Sequence, residues 1–314
     1  MKKKANGVYN ADTGKMTDAE LAEKLGHYQR ASLIWSLIGM VGVVSGTVSF
    51  FAVQNAVLKT ILVAVLLFGG ICCVLFPGGN ARKKLKALMQ EQMNDFFREE
   101  LEKAFGTEIH IPELCIDEPF VKMLELGEGK WEECKAEGFY EGIYHGVKFS
   151  AANIRLDHVY KKSIPHEGHE TCIKQVFKGI VLRCKTRIDA SLPVRAAART
   201  ERSPRGVATE NETFDRNFCI SAETATDVSC LFTQKFFELP EKLEQCADGH
   251  VCAFQWEKDT FSLAMETDFE FASVAGNIDF SDLDAVRRSY TESLRKTEKL
   301  LDILLENTEL FERL

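Results

Sequence analysis

Two long apolar runs near the start of the chain are its clearest pattern. They cover residues 31–53 and 56–76, and only Gln54, Asn55 and Lys59 interrupt them. An α-helix rises about 1.5 Å per residue, so about 20 apolar residues cross a hydrocarbon core about 30 Å thick. The 30 mostly polar residues before the first run do not favour a cleaved signal peptide. The pattern therefore predicts two membrane-spanning helices.

The rest of the chain changes its hydrophobic period several times. After a predicted break at residues 77–79, apolar positions at helical spacing predict an amphipathic helix up to residue 105. β-Branched and aromatic stretches predict strands at 139–156, 172–188 and 214–220, and a hairpin that joins 253–256 to 261–265 around Lys258 and Asp259. A last amphipathic helix is predicted from residue 283 to residue 310.

These elements define an α+β protein. We predict a two-helix transmembrane hairpin followed by a cytoplasmic domain with a mostly antiparallel sheet and flanking amphipathic helices. The predicted division is an N-terminal cytoplasmic segment at 1–30, the hairpin at 31–79 and the α+β domain at 80–314. A domain of about 235 residues is large enough to bury its own core.

The distribution of Lys and Arg predicts the orientation of the hairpin, because cationic residues near the ends of spans are retained on the cytoplasmic side. The connection between the two runs offers only Lys59. Both outer flanks are basic, with Lys2, Lys3, Lys4, Lys15, Lys24 and Arg30 on one side and Arg82, Lys83, Lys84 and Lys86 on the other. We therefore expect a multi-pass protein of the cell (inner) membrane with both termini in the cytoplasm.

Small residues in the first run indicate how the hairpin packs. Gly39, Gly42 and Gly46 recur along one helix, and the last two form a GxxxG motif that lets two backbones approach. The contact lies either inside the hairpin or between two chains, so a homo-oligomer stays open. Neither run contains Asp, Glu, Arg or His, which argues against transport by the hairpin alone.

The ten cysteines are irregularly spaced and form no CxxC motif. A cytoplasmic domain stays reduced, so we expect free thiols rather than a disulfide framework. Cys72 and Cys73 lie near the inner end of the second run, where palmitoylation and lipid-facing packing are both open.

The charge of the chain bears on its partners. The net charge is −8 at pH 7, and residues 1–79 carry seven Lys and Arg against four Asp and Glu, which leaves −11 for residues 80–314. Nucleic acids are held mainly by cationic contacts to phosphate, so the acidic domain disfavours them as partners. We expect the lipid bilayer and, at the inner face of the membrane, a protein partner.

Four stretches of the chain resemble a known family. An aromatic and glycine-rich region reads FYEGIYHGVKF at 139–149 and continues as FKGIVL at 177–182, ETFDRNF at 212–218 and LFTQKF at 231–236. In this order they resemble the bacterial membrane proteins grouped as domain of unknown function 3137, with Gln234 where proline is expected. The resemblance covers most of the chain and implies a bacterial origin and the same topology. The family carries no established activity, so no catalytic residue follows from it.

The densest polar segment is HEGHETC at 166–172. His166, His169 and Cys172 could ligate zinc, with a neighbouring Glu as a base, which makes a metal-dependent hydrolase the alternative function. The spacing does not match HExxH, and the proline and glycine in this region also fit a solvated loop between strands.

Positive charge concentrates at residues 185–206 of the otherwise acidic domain. Arg195, Arg199 and Arg202 would share one face if the segment were helical, and this face could dock an anionic partner or the inner leaflet. The alanine run and the SPRG sequence at 203–206 also fit a mobile surface loop.

No GxSxG, P-loop or Rossmann glycine pattern occurs in the chain. The sequence therefore favours a membrane-anchored binding or scaffold protein that recruits a protein partner to the inner face of the membrane and needs no cofactor. The alternative is the membrane-tethered hydrolase.

Overall fold

The structure is a computed structural model that describes residues 16–106, 114–164, 168–200, 206–223, 231–306 and 311. The chain forms two compact units. The hairpin unit comprises Met1–Arg98 and Val274–Ser289, and the sheet unit comprises Glu99–Ser273 and Tyr290–Leu314. The predicted division at residues 30 and 79 stays a prediction.

The hairpin unit begins with two long helices, α1 (Asp18–Ala52) and α2 (Ala56–Cys73). Thr17 starts α1 with a capping box, in which its hydroxyl accepts from the backbone of Glu20 and the Glu20 carboxylate accepts from Thr17 N. Asn55 caps α2 through its side-chain oxygen. Because three residues join the helices, α1 and α2 are antiparallel neighbours.

α2 continues into α3 (Gly79–Phe105) through a π-helical segment, Val74–Gly78. The predicted break at residues 77–79 is therefore wrong. In an α-helix, Pro77 would lack a donor and its ring would clash with the carbonyl four residues earlier. The wider π turn accommodates the ring, and Gly79 N donates to Val74 O across it. The predicted amphipathic helix forms the larger part of α3.

The sheet unit is built on a five-stranded antiparallel sheet. Its strands are β1 (Glu133–Tyr144), β2 (Val147–Ile164), β3 (Gly168–Ala198), β4 (Phe218–Ser221) and β5 (Gly249–Thr267). β3 is central. Cys184 pairs with strands β2 and β5, and Arg195 pairs with β4 and β5. β2 and β4 therefore follow one another along one edge of β3, and β5 occupies the other edge.

β5 is one strand where the sequence predicted a hairpin, so that prediction is wrong. Phe254 pairs with Ala196 and Phe261 pairs with Cys184, so both halves of β5 face β3 rather than each other. Lys258 has a positive φ of 51°, and the register with β3 shifts on either side of it. Such bulges bend a ribbon without reversing the chain.

The predicted strand at 214–220 is also shorter than expected. Helix α5 (Glu212–Asn217) occupies its first half, because the Asn211 side chain accepts from Phe214 N and starts a helical turn. β4 begins only at Phe218 and pairs with residues 195–198 of β3.

Further helices cover the sheet: α4 (Glu118–Met123), α6 (Gln234–Ala247) and the sheet-unit part of α7 (Leu283–Leu305). Phe120 and Val121 of α4 belong to one core cluster with strand residues such as Leu156 and Phe177. Phe236 of α6 packs against Phe254 and Trp256, with ring centroids 4.9 and 5.1 Å apart. The predicted fold class is confirmed: two long apolar helices precede an α+β arrangement with a mostly antiparallel sheet.

Candidate membrane-binding surface and open sheet edge

The apolar side chains of α1 and α2 lie on the outside of the hairpin. Phe51 is 81% exposed and Val57 is 70% exposed. In the most apolar window of each helix only 11% of the residues are buried. A core helix of a soluble protein buries such side chains, and exposed apolar surface of this extent is rare on soluble monomers. Two helices of the described chain are thus long and apolar enough to cross a membrane.

Gly39, Gly42 and Gly46 lie on the face of α1 that meets α2. A Cβ built on Gly39 would lie 2.6 Å from Gly70 O, and one on Gly42 would lie 3.1 Å from Gly70 Cα. A Cβ on Gly46 would lie 3.0 Å from the Leu67 side chain. The two backbones approach too closely for a larger residue at position 39. These contacts lie inside the hairpin, and the contact between two chains stays a prediction.

Polar side chains mark both ends of the hairpin. At its tip, Asn55 caps α2 and Lys59 Nζ lies 4.2 Å from the centroid of the Phe50 ring. At the other end, Arg82 Nε donates to Ser32 Oγ at 3.0 Å and ties α3 to α1. This distribution fits an apolar slab bounded by two polar interfaces.

The helices of the hairpin unit continue beyond the apolar runs and pack together. The juxtamembrane cluster consists of Leu21, Leu25, Met93, Phe280, Leu283 and Val286, which are all buried. Gln29 Nε2 donates to Ile278 O at 2.6 Å, and Gln29 Oε1 accepts from Phe280 N at 2.9 Å. Sequence reasoning missed Gln29, because no local pattern marks a residue whose partners lie in a distant segment.

The candidate zinc ligands are described only in part. His166 lies outside the described residues, His169 pairs through its backbone with Ser163, and Cys172 pairs with Tyr160. Among the residues that the structure describes, no group of three or more His, Cys, Asp or Glu side chains could hold a metal ion. The zinc site stays a prediction.

The segment with the candidate docking arginines belongs to β3 up to Ala198. The helix and the mobile loop that the sequence allowed are therefore both wrong for residues 185–198. This part is the end of β3, and the fully buried Ala196 pairs with Ile220 and Phe254 on its two sides. A small side chain fits at the buried Ala196, whereas Ala197 is partly exposed and Ala198 is exposed. Tertiary pairing overrides the helical preference of alanine.

The arginines of this segment have partners in the sheet unit. Arg195 donates to the Glu125 carboxylate. Arg199 donates from Nε and Nη2 to the carbonyl oxygens of Asp215 and Phe218, at 3.1 and 3.3 Å. Arg202 lies outside the described residues. A docking role for the three arginines stays a prediction.

β2 and β3 extend beyond the rest of the sheet as a two-stranded ribbon, formed by residues 158–164 and 168–178. β1 stops pairing with β2 at Asp157, and β5 pairs with β3 only from Gly179 onward. Glu132 lies where β1 begins, and its carboxylate accepts from Val159 N at 2.5 Å and contacts His158 Nδ1 at 3.0 Å. The Val159 N–H lowers the pKa of Glu132, with a further lowering by His158.

A cavity of about 620 Å³ lies in the sheet unit beside the base of this ribbon. Its lining includes Glu244, Asp248, Glu266 and Asp268, together with Lys178, which pairs with Asp268 at 3.1 Å. A charged and open lining of this kind does not resemble the mostly apolar sites that enclose small organic ligands.

Comparison with known proteins adds little to this picture. No protein-family model matches the chain, and no curated protein matches it. Among solved structures, the chain is similar to the crystal structure of the mycobacterial trehalose monomycolate transport factor A, TtfA, at 11% identity and a TM-score of 0.25. The similarity covers 55% of this chain and 75% of that one. We draw nothing from a similarity of this size.

Proposed function

We propose that this chain is a membrane-anchored binding or scaffold protein that recruits a protein partner to the inner face of the cell membrane. α1 and α2 cross the bilayer as a hairpin, both termini lie in the cytoplasm, and the sheet unit presents the binding surface. The chain is a member of the domain of unknown function 3137 family that its sequence resembles.

One observation carries the anchoring: apart from Thr47 and Thr60, the exposed side chains of both long helices are apolar through residues 33–51 and 57–71. The two threonine hydroxyls donate to backbone carbonyls of their own helices, at Val43 O and Ala56 O. Exposure of such a surface to water is unfavourable, whereas its contact with the hydrocarbon tails of lipids is favourable. The polar tip at Asn55 and Lys59 and the basic flank at Arg82, Lys83 and Lys84 support the orientation. The connectivity then brings both ends of the hairpin to one side.

The binding role is supported by the ribbon of β2 and β3, whose outer edges pair with no other strand among the described residues and can offer backbone groups to a partner. The alternative, a metal-dependent hydrolase that uses His166, His169 and Cys172, has no support from a contact among the described residues.

Reporter fusions test the topology. Alkaline phosphatase is active only after export, so it is placed after Leu314 in one fusion and between Gln54 and Asn55 in another. We expect activity from the tip insertion and none from the C-terminal fusion. Green fluorescent protein at the same two sites serves as the control, because it fluoresces only where phosphatase fails. Export of the C-terminal fusion contradicts the orientation, and release of the full chain from membranes by alkaline carbonate contradicts the anchoring.

A further inference from the structure

Beyond Val159, the outer edge of β2 in the ribbon has no neighbouring strand in the part of the chain that the structure describes. In an antiparallel pair, alternate residues direct their N–H and C=O groups to the same edge. Asp157 O accepts from Glu132 N at 3.1 Å, and Val159 N donates to the Glu132 carboxylate. The backbone N–H and C=O groups of the odd-numbered residues of β2 therefore point to the edge that β1 occupies. Lys161 and Ser163 are the next residues with backbone groups on this edge. No described residue donates to or accepts from those outward groups.

Glu132 shows what chemistry this edge accepts. The chain itself places an acidic side chain on the first N–H beyond the end of β1, at Val159, and beside the imidazole of His158. β1 occupies this edge of β2 up to Asp157. An added strand would occupy the same edge beyond Glu132 and pair with Lys161 and Ser163. Backbone pairing of this kind adds a strand to an exposed sheet edge.

Lysines outnumber acidic residues among the described side chains of the ribbon, where Glu170 lies opposite Lys162, and part of its surface is apolar. Lys161, Lys162 and Lys174 are exposed, in a chain whose net charge is −8. Tyr160 is 41% exposed and Ile173 is 61% exposed, although both are large and apolar. Both faces of the ribbon therefore carry a cation next to an exposed apolar group, since Lys161 and Lys162 alternate between the faces.

We propose that the open edge of β2 at Lys161 and Ser163 binds an extended acidic segment of a partner protein as an added strand. This rests on the proposed binding function and names the partner class. A second copy is disfavoured, because pairing two identical edges sets lysines against lysines. A lipid surface is disfavoured, because hydrocarbon and headgroups cannot pair the backbone groups of the edge. The lysines favour Asp and Glu side chains on the incoming strand.

The first test uses a fluorescein-labelled, capped peptide of Glu-Glu-Val-Val repeats as the probe, because this order places Glu on both faces of an added strand. The full chain is kept in detergent micelles, and fluorescence anisotropy is the readout. We expect saturable binding that the double change K161E/K162E weakens by about tenfold, because two favourable cross-strand charge pairs become unfavourable. The matched control K235E/K299E makes the same charge change at exposed positions of α6 and α7 and leaves binding unaltered. Equal weakening by both pairs, or no saturable binding to the unmodified chain, overturns the proposal.

Two further measurements address the backbone and the alternative occupants. The same peptide with alternate amides N-methylated loses binding if it pairs as a strand, and the amides of Lys161 and Ser163 gain hydrogen-exchange protection only with the unmethylated peptide. Equal binding of both peptides overturns the proposal.

Photocrosslinking in native membranes identifies what lies against the edge, with a photocrosslinking residue in place of Tyr160. An adduct to an acidic protein segment supports the proposal if the adduct is lost in K161E/K162E. An adduct to lipid or to a second copy, or no adduct, counts against it. The micelle assay does not depend on topology, so it can fail or succeed independently of the anchoring.

Discussion

Gln29 holds the backbone of Phe280 although the two residues are 251 positions apart: its Oε1 accepts from Phe280 N at 2.9 Å. The other end of the same amide donates to Ile278 O at 2.6 Å. One side chain of α1 thus satisfies two backbone groups of the loop before α7. Asp18 and Arg287 add an ion pair at 2.9 Å between the same two parts of the hairpin unit. The N-terminal end of α1 is therefore a structural part of the unit and not a loose extension.

Replacing Gln29 tests this arrangement. Q29A leaves Phe280 N and Ile278 O without their partner, so we expect a loss of stability of about 1–3 kcal/mol and faster hydrogen exchange at the Phe280 amide. Q29E keeps an acceptor for Phe280 N but sets a carboxylate oxygen against Ile278 O, so we expect a loss of stability with slower exchange at the Phe280 amide than in Q29A. H27A, at an exposed neighbouring position, is the control. Identical hydrogen-exchange rates at the Phe280 amide in Q29A and H27A would show that the Gln29 side chain does not hold the loop.

The contact between α1 and α2 gives a second prediction. In G39A the new Cβ would lie 2.4 Å from Val74 Cγ2 and 2.6 Å from Gly70 O, so the helices must separate. In G69A the Cβ meets no atom within 4 Å. Alanine favours helix over glycine by about 1 kcal/mol, so G69A should retain or raise the melting temperature in detergent while G39A lowers it. A similar melting temperature for both variants would place Gly39 away from the helix contact.

The sequence predicts the apolar helices well, because their length and composition alone decide whether they can cross hydrocarbon. It also predicts the α+β class, since periods of two and of 3.6 follow directly from which side chains a sheet or a helix buries. Gly39, Gly42 and Gly46 were found by the same reasoning, because small residues at helical spacing allow close packing.

The errors arise where distant partners decide the local structure. Lys258 lies in a turn-like sequence, yet it pairs with Ala190 and both of its flanks pair with β3, which carries the extra residues of the two bulges. Arg195 stands beside an alanine run that the sequence leaves open as a helix or a surface loop, yet β4 and β5 enclose this segment as a strand. Gln29 and Glu132 carry no local signature, because each acts on backbone groups of another segment.

The thiol of Cys184 provides a third prediction. It is fully buried, and burial raises its pKa to about 12. Cys115 is exposed, although partial burial also raises the pKa of its thiol. Because the thiolate is the reactive form, iodoacetamide at pH 8 should modify Cys115 in the folded protein and Cys184 only after unfolding in guanidinium. Peptide mapping by mass spectrometry measures both sites, and equal native rates would contradict the buried position of Cys184.

The last prediction concerns Glu298 on α7, which faces a charged turn of the sheet unit. Burial raises the pKa of Glu298 and the neighbouring Asp302 carboxylate raises it further, whereas Arg295 and His145 oppose the shift. Asp302 is held in place, because Tyr144 OH donates to its Oδ1 at 2.9 Å. The folded state therefore binds the Glu298 proton more tightly than the unfolded chain does.

The sign of the pH effect follows from this difference. The stability that the protonated carboxyl provides is complete below the ordinary Glu pKa of about 4.3 and is lost as the pH rises through the higher pKa of the folded state. E298Q removes this loss, so it should raise the melting temperature at pH 7 and leave it unchanged at low pH. E292Q removes the same charge at an exposed position of α7 and serves as the control. If both variants shift the melting temperature equally at pH 7, the effect belongs to the net charge of the chain and not to the surroundings of Glu298.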